Sequence, residues 1–302
     1  MRSKPWIILI IIIIVLGVGS FVVLQFYNPF RQYPSDGTES PQPTFDQILW
    51  PTQPGTKVFS NKGYTLDYSH SDEGYISVKG PSDGTIKKAQ ITFQDVSYTY
   101  DLYEDVYTVL PLQSGNGDYK IRLMKHKEGD TYVVVAGTQI SVTMSDPLRV
   151  FLYPSQIINY NPETLAISKS FELTKNDHSE LKRVYSIYKY IITTIDYDKE
   201  KAEIAKTTFI LPKVDETLEL KKGICFDYAA LMAAMLRVQQ IPTRVITGYV
   251  SVGYHAWVEV YIKDIGWINP SIYFAKEKWE RMDPTFDAQG LYFGTYQNKL
   301  TY

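Results

Sequence analysis

The sequence predicts an α+β chain: an all-β, sandwich-like region comes first, and a region of helices and a hairpin follows. Three observations carry this. From about Val58 to Ser155, apolar residues recur with period two between turn-forming clusters. From Asn176 the period lengthens to about 3.6, the helical value. Then a nearly all-apolar helix from Phe226 to Gln239 leads into two alternating runs that read as a hairpin.

Composition narrows the function. The 31 basic residues against 33 acidic ones leave no excess of positive charge, so a nucleic-acid partner is not expected. A 44% apolar share is enough for real cores, and the length suits roughly two domains of about 150 residues. The single cysteine excludes an internal disulfide framework and any cysteine-rich zinc site. His70, His126, His178 and His255 are scattered without metal-ligand spacing, so neither a metal nor another cofactor is expected.

The N-terminal residues Ile7 to Leu24 carry no charge, and about 18 such residues can cross a bilayer as a helix. Trp6 and the Phe26–Tyr27 pair stand where interfacial aromatics belong. Arg2 and Lys4 precede the run and only Arg31 follows it closely, which puts the N-terminus inside the cell and the rest outside. The run is longer than the ~7–15 apolar residues of a signal peptide, and no A-x-A site follows, so an uncleaved single-pass anchor is expected over residues 1–27. Residues 28–57 are rich in proline and read as an extended spacer. The remaining divisions are a sandwich-like domain over 58–155 and a second domain over 156–302.

The strand candidates are YTLDYSH, GYISVKG, KAQITFQ, VSYTYDLY, VYTVLPL, YKIRLMKH, TYVVVAGTQISVTM and LRVFLYP, separated by SDEG, PSDG, SGNGD and EGD. They show no catalytic constellation, so this region reads as a spacer or binding module. In NDHSELKRVYSIYKYIITTIDYD, Leu181, Val184, Tyr185, Tyr188 and Ile191 form one helical stripe, with Asp177 or Ser179 as its cap. KEKAEIAKTTFILPKVDETLEL reads as loop with a short helix.

Cys225 stands where Gly223 gives way to the buried helix, and Pro242 closes that helix. Unpaired N–H groups and the helix dipole at such a tip stabilise a thiolate and can bind a developing oxyanion. The bland alternative is a cysteine used as a small buried hydrophobe. A base candidate follows in the hairpin Arg244–Val250 and Tyr254–Ile262, turned at Ser251–Gly253. Alternation puts Ala256, Val258, Val260 and Ile262 on one face and His255, Trp257, Glu259 and Tyr261 on the other. If the apolar face meets the sheet's far layer, His255 faces the Cys225 helix and can take the thiol proton. Asp283 in MDPTF, or Asn269 in WINPS, can orient the imidazole.

Together these residues resemble the transglutaminase-like superfamily, whose thiol chemistry and fold are papain-like. The resemblance rests on KKGICFDYAALMAAMLRVQQIPTRVITGYV, HAWVEVYI and MDPTF, in that order, and covers roughly Ser179 to Asp287. IYKYIITTIDYDKEKA also looks like the helix preceding the core in bacterial members. The resemblance implies an α+β fold with the cysteine helix packed on an antiparallel sheet. It implies Cys225 as nucleophile, His255 as base and acid, and Asp283 as orienter, with Gly223, Tyr228 and Trp257 close by. The His255–Asp283 interval is longer than usual in the family, through an added GWINPSIYFAKEK segment, and Asn269 lies nearer the usual spacing. No Trp or Gln between Tyr197 and Cys225 is available to complete an oxyanion hole. The expected activity is acyl transfer from a peptide or carboxamide of a protein or cell-wall substrate, to water or to an amine. The alternatives are a non-catalytic surface scaffold and a peptidoglycan peptide amidase.

Overall fold

The computed structural model describes residues 39–250, 253–271 and 296–302. The expected anchor, residues 1–27, lies outside them; among the described residues no helix is long and apolar enough to cross a membrane.

The first half is antiparallel β. Strands β1 (Val58–Asn61), β2 (Tyr64–Asp67), β3 (Tyr75–Lys79) and β6 (Thr108–Pro111) form one sheet in the order β1-β2-β3-β6. Strands β4 (Lys87–Phe93), β5 (Val96–Leu102), β7 (Gly117–Glu128) and β8 (Thr131–Val142) form a second in the order β5-β4-β7-β8. Period-two alternation drives each sheet to bury one face. Leu66, Ile76 and Val78 from the first meet Ala89, Ile91, Ile121 and Leu123 from the second in one core. Each such side chain fully buried stabilises by roughly 1.5–3 kcal/mol.

LRVFLYP is not a strand. Arg149–Leu152 forms a 3-10 turn, and the consecutive Val150 and Phe151 are both buried. A strand would have put one of them on the opposite face. Val150 packs where Gly74 leaves room: a Cβ on Gly74 would come within 2.6 Å of Val150 Cβ.

Glu73 ties this turn to the sheet. Its carboxylate accepts from Arg149 Nε at 2.9 Å and from the Tyr153 hydroxyl, and lies 3.2 Å from His70 Nδ1. Burial pushes the Glu73 carboxyl up, but these partners outweigh it and hold it below the usual range. The folded value is below the unfolded one, so this stability is present above about pH 4.3 and is lost as pH falls through the folded value. Glu73→Gln should therefore cost about 1–2 kcal/mol at neutral pH. The gap to the parent should close in urea melts run in acid.

The expected spacer is described only from residue 39; there it makes one 3-10 turn, Phe45–Gln47, and from Ser40 onward it is strapped to the molecule. Arg183 donates to the Ser40 carbonyl at 2.7 Å and hydroxyl at 2.9 Å. Gln42 Nε2 donates to Thr174 Oγ1 at 2.6 Å, and Ile48 enters the helical core. Thr52 N then donates to Tyr75 Oη at 3.0 Å, so the strap reaches the first sheet.

The second half begins with helix α1 (Leu165–Thr174), earlier than the sequence pattern indicates. Helix α2 (Glu180–Thr194) is capped by Ser179, whose hydroxyl accepts from Lys182 N. Two short helices, α3 (Lys199–Ala205) and α4 (Val214–Leu220), occupy the stretch read as loop with one helix. Short strands β9 (Asp196–Tyr197) and β10 (Lys222–Gly223) pair in parallel. Helix α5 (Cys225–Arg237) follows. The last sheet has the order β13-β12-β11-β14, from β11 (Thr243–Val250), β12 (Gly253–Ile262), β13 (Gly266–Ile268) and β14 (Tyr296–Thr301). Helix α5 is apolar all round because α1, α2 and α4 cover it on one side and β11 and β12 on the other.

Candidate active site

Cys225 is the first residue of α5 and is half-buried, with a free thiol. Ile224 before it is extended, which turns the chain into the helix. Asp227 fixes that start: its Oδ2 accepts from Ile224 N at 2.9 Å. The buried Asp227 carboxylate is neutralised by Lys201, 2.8 Å away on α3. Gly223 is required for this approach, since a Cβ there would meet Asp227 Cβ at 2.8 Å and Thr217 Cγ2 at 3.2 Å. Tyr228 pins the other side of the first turn by donating to the Ile195 carbonyl. Asp227→Ala would leave the partly exposed Lys201 ammonium without its partner and the Ile224 N–H without its acceptor. The expected loss is about 1–3 kcal/mol, the cost of an unpaired buried donor, and chemical unfolding measures it.

Tyr197 is a site residue that motif reading passed over. The β9–β10 pairing sets it level with Gly223, two residues before the thiol. Burial raises the Tyr197 phenol, and the neighbouring Cys225 raises it further. Its phenol lies within electrostatic reach of the thiol, and a hydroxyl donor is of the kind an oxyanion needs. The only sequence signal would have been a pairing of DY with KG, too short to show periodicity.

His255 is buried, 5% exposed, on β12 opposite Gly248. Its ring lies beside Trp257, centroids 6.4 Å apart and nearly coplanar in tilt at 19°. The condition on which His255 is expected to face the cysteine helix, an apolar β12 face turned to the sheet's far layer, is not met. Ala256, Val258, Val260 and Ile262 share the core of α5, whereas Trp257 clusters with Ile246 and Val250 on the reverse of the sheet. The reason is apolar matching: a helix without a polar face takes the strand face without polar residues.

Thiol and imidazole nevertheless sit at the same end of this layer. Tyr261, late in β12, donates its N–H to Pro242 O just beyond the end of α5. At the other end, Phe226 beside Cys225 lies 6.4 Å from the Tyr302 ring. Tyr254, which precedes His255, is in turn close enough to Tyr302 to raise its phenol after burial has done so. Helix and strand therefore run in the same direction, with Cys225 and His255 both near their starts.

Asn269 is not brought to His255. Ile268 pairs with Val260, which leaves Asn269 level with Glu259. That is four residues along β12, about 13 Å at ~3.3 Å per residue. Its Oδ1 accepts from Ser271 N at 3.0 Å and from the Ser271 hydroxyl, closing its own turn. Asp283 lies outside the described residues. Among the described residues no cluster of His, Cys, Asp or Glu could hold a metal ion.

Residues 167–284 match the sequence model of the Transglutaminase-like superfamily, so this part of the chain is a transglutaminase-like core domain. The match takes in α1 through β13 and spans Cys225, His255 and Asp283. The uncharacterized protein YebA of Bacillus subtilis (strain 168) is 30% identical over 125 residues, 35% of this chain. The aligned part spans only 16% of that relative's length. A Cytophaga hutchinsonii protein provisionally named a cysteine protease is similar at 15% identity, over 76% of this chain and 91% of that one, with a TM-score of 0.37. The periplasmic domain of TgpA from Pseudomonas aeruginosa is similar at 18% identity, over 74% and 78% of the two chains, with a TM-score of 0.32.

Proposed function

We propose that the protein is a thiol acyl-transfer enzyme, anchored in the membrane by its N-terminal apolar run with the folded part outside. The observation that carries the reading is Cys225 at the N-terminal tip of a buried helix, within a transglutaminase-like core. The Cys225 thiol gives its proton to His255, and Sγ attacks the carbonyl carbon of a carboxamide or peptide. The oxyanion is held by the main-chain N–H of Cys225 and the Tyr197 hydroxyl. The imidazolium then protonates the leaving amine as its C–N bond breaks, and Asp283 orients the ring. Water resolves the acyl-enzyme by hydrolysis; a primary amine resolves it by cross-linking. The uncharged run Ile7–Leu24 supports the anchor.

The face of β12 that packs on α5 is the apolar one, Ala256, Val258, Val260 and Ile262, and this supports a second reading, a non-catalytic surface protein. One experiment separates them. The full chain is incubated with a glutamine-containing peptide and a fluorescent primary amine. An acyl adduct on Cys225 by mass spectrometry, with either labelled peptide or released acid, supports the enzyme. No adduct and no product under either condition supports the scaffold.

A further inference from the structure

Five aromatic side chains form a row that passes the start of α5. Phe209, from the connector between α3 and α4, has its ring centroid 5.9 Å from that of Phe226, the residue after the thiol. Phe226 in turn lies 6.4 Å from Tyr302. Tyr254 stands within electrostatic reach of the Tyr302 phenol. It alternates with Ala256 and Val258 on the β12 face that packs on α5, and its partner across the hairpin is Tyr249, ring to ring 5.3 Å away.

The row ends in open rings. Phe209 is 68% exposed, the most exposed large apolar side chain among the described residues, and Tyr249 and Tyr254 are exposed as well. The Phe209 connector is held in place: Thr208 N donates to Ile204 O at 3.0 Å, and Pro212 is buried. Scattered exposed apolar residues are ordinary, but several gathered in one place mark a ligand groove. These gather around the start of the helix that carries a half-buried free thiol.

The tilt of the rings indicates what they fit. Phe209 and Phe226 meet at 54°, Phe226 and Tyr302 at 53°, and Tyr249 and Tyr254 at 75°. A sugar stacks on a flat face, and no two of these neighbours share one. An aromatic side chain instead prefers tilted and edge-to-face partners.

We propose that this row is the substrate groove of the Cys225 site, and that its Phe209–Phe226 end selects a peptide acyl donor with an aromatic side chain next to the acyl group. The proposal rests on the reading of Cys225 as the reactive thiol, but binding in the groove needs no turnover.

Two peptidyl chloromethyl ketones test it on the full chain, alike except for phenylalanine or serine beside the reactive glycine. Cys225 Sγ loses its proton and displaces chloride to leave a thioether, so no acyl transfer is required. Mass spectrometry of the adduct over time and probe concentration gives the half-saturating concentration and the maximal rate. The phenylalanine probe should half-saturate at about tenfold lower concentration. Phe209→Ala should abolish that advantage, while alkylation by iodoacetamide and the unfolding midpoint stay unchanged, because the side chain is exposed. The proposal is overturned by equal saturation with both probes, or by an advantage that persists in Phe209→Ala. Protection of the thiol by a chitooligosaccharide but not by a phenylalanine peptide overturns it too, as does a dimer in sedimentation that Phe209→Ala dissociates. If the glutamine peptide leaves no acyl adduct and the phenylalanine advantage holds, acyl transfer fails and the groove stands. An acyl adduct without that advantage keeps the enzyme and removes the groove.

Discussion

Cys225→Ala should reduce acyl transfer by more than about a thousandfold and leave no adduct on the protein, while its unfolding midpoint barely moves. The two halves of this expectation have separate causes. Without Sγ no covalent intermediate can form, and the groups that remain can only bind the substrate. Stability is spared because the side chain is small and half-buried at the first position of α5. The helix start is held by Asp227 and Tyr228, neither of which depends on the thiol. A loss above about 1 kcal/mol would be large for such a site and would mean that Cys225 is a packing residue. Retained activity would remove the thiol from the mechanism altogether. His255→Ala, measured alongside, should lose activity through the proton transfer while binding substrate normally.

The parts of this site visible in the sequence are those set by local rules. Gly223, the apolar run and Pro242 fix where α5 begins and ends, and they place Cys225 at its tip. Alternation likewise sorts the two faces of β12 correctly, and β11 pairs with it in the expected antiparallel hairpin. Which face meets the helix is a tertiary choice, and alternation is silent on it. Helix α1 escaped for a different reason. Its buried side carries Ser170 and Thr174, and Ser170 reaches the Met235 carbonyl at 2.7 Å. A helix that packs through hydroxyls shows no apolar stripe. The strap from Ser40 to Thr52 reads as spacer because proline composition reports extension, not what the extended chain touches.

Arg237→Met should lower stability by up to about 3 kcal/mol, and the balance behind that figure has two opposing parts. Arg237 closes α5 and is fully buried, and burial pushes its guanidinium down to about 10. That strain on the charge disappears with methionine, which is a gain of roughly 3 kcal/mol at ~1.4 kcal/mol per pKa step. Against it stand three main-chain oxygens. Nε donates to Thr243 O at 2.9 Å, Nη1 to Tyr153 O, and Nη2 to Tyr302 O at 3.4 Å. Tyr302 O keeps the Val245 N–H at 2.9 Å, but Thr243 O and Tyr153 O lose their guanidinium donors at about 1–3 kcal/mol each, which together outweigh the relief over most of that range. The three carbonyls also belong to three different segments: the end of the β region, the start of β11 and the strand that closes the last sheet. Losing the guanidinium fork should therefore loosen the junction as well as the helix. Arg237→Lys keeps the charge but not the planar geometry that serves three oxygens, so it should rescue little. Urea unfolding of both variants decides the matter. If methionine proves neutral or stabilising, the carbonyls find other partners and the buried cation is a net liability to the fold.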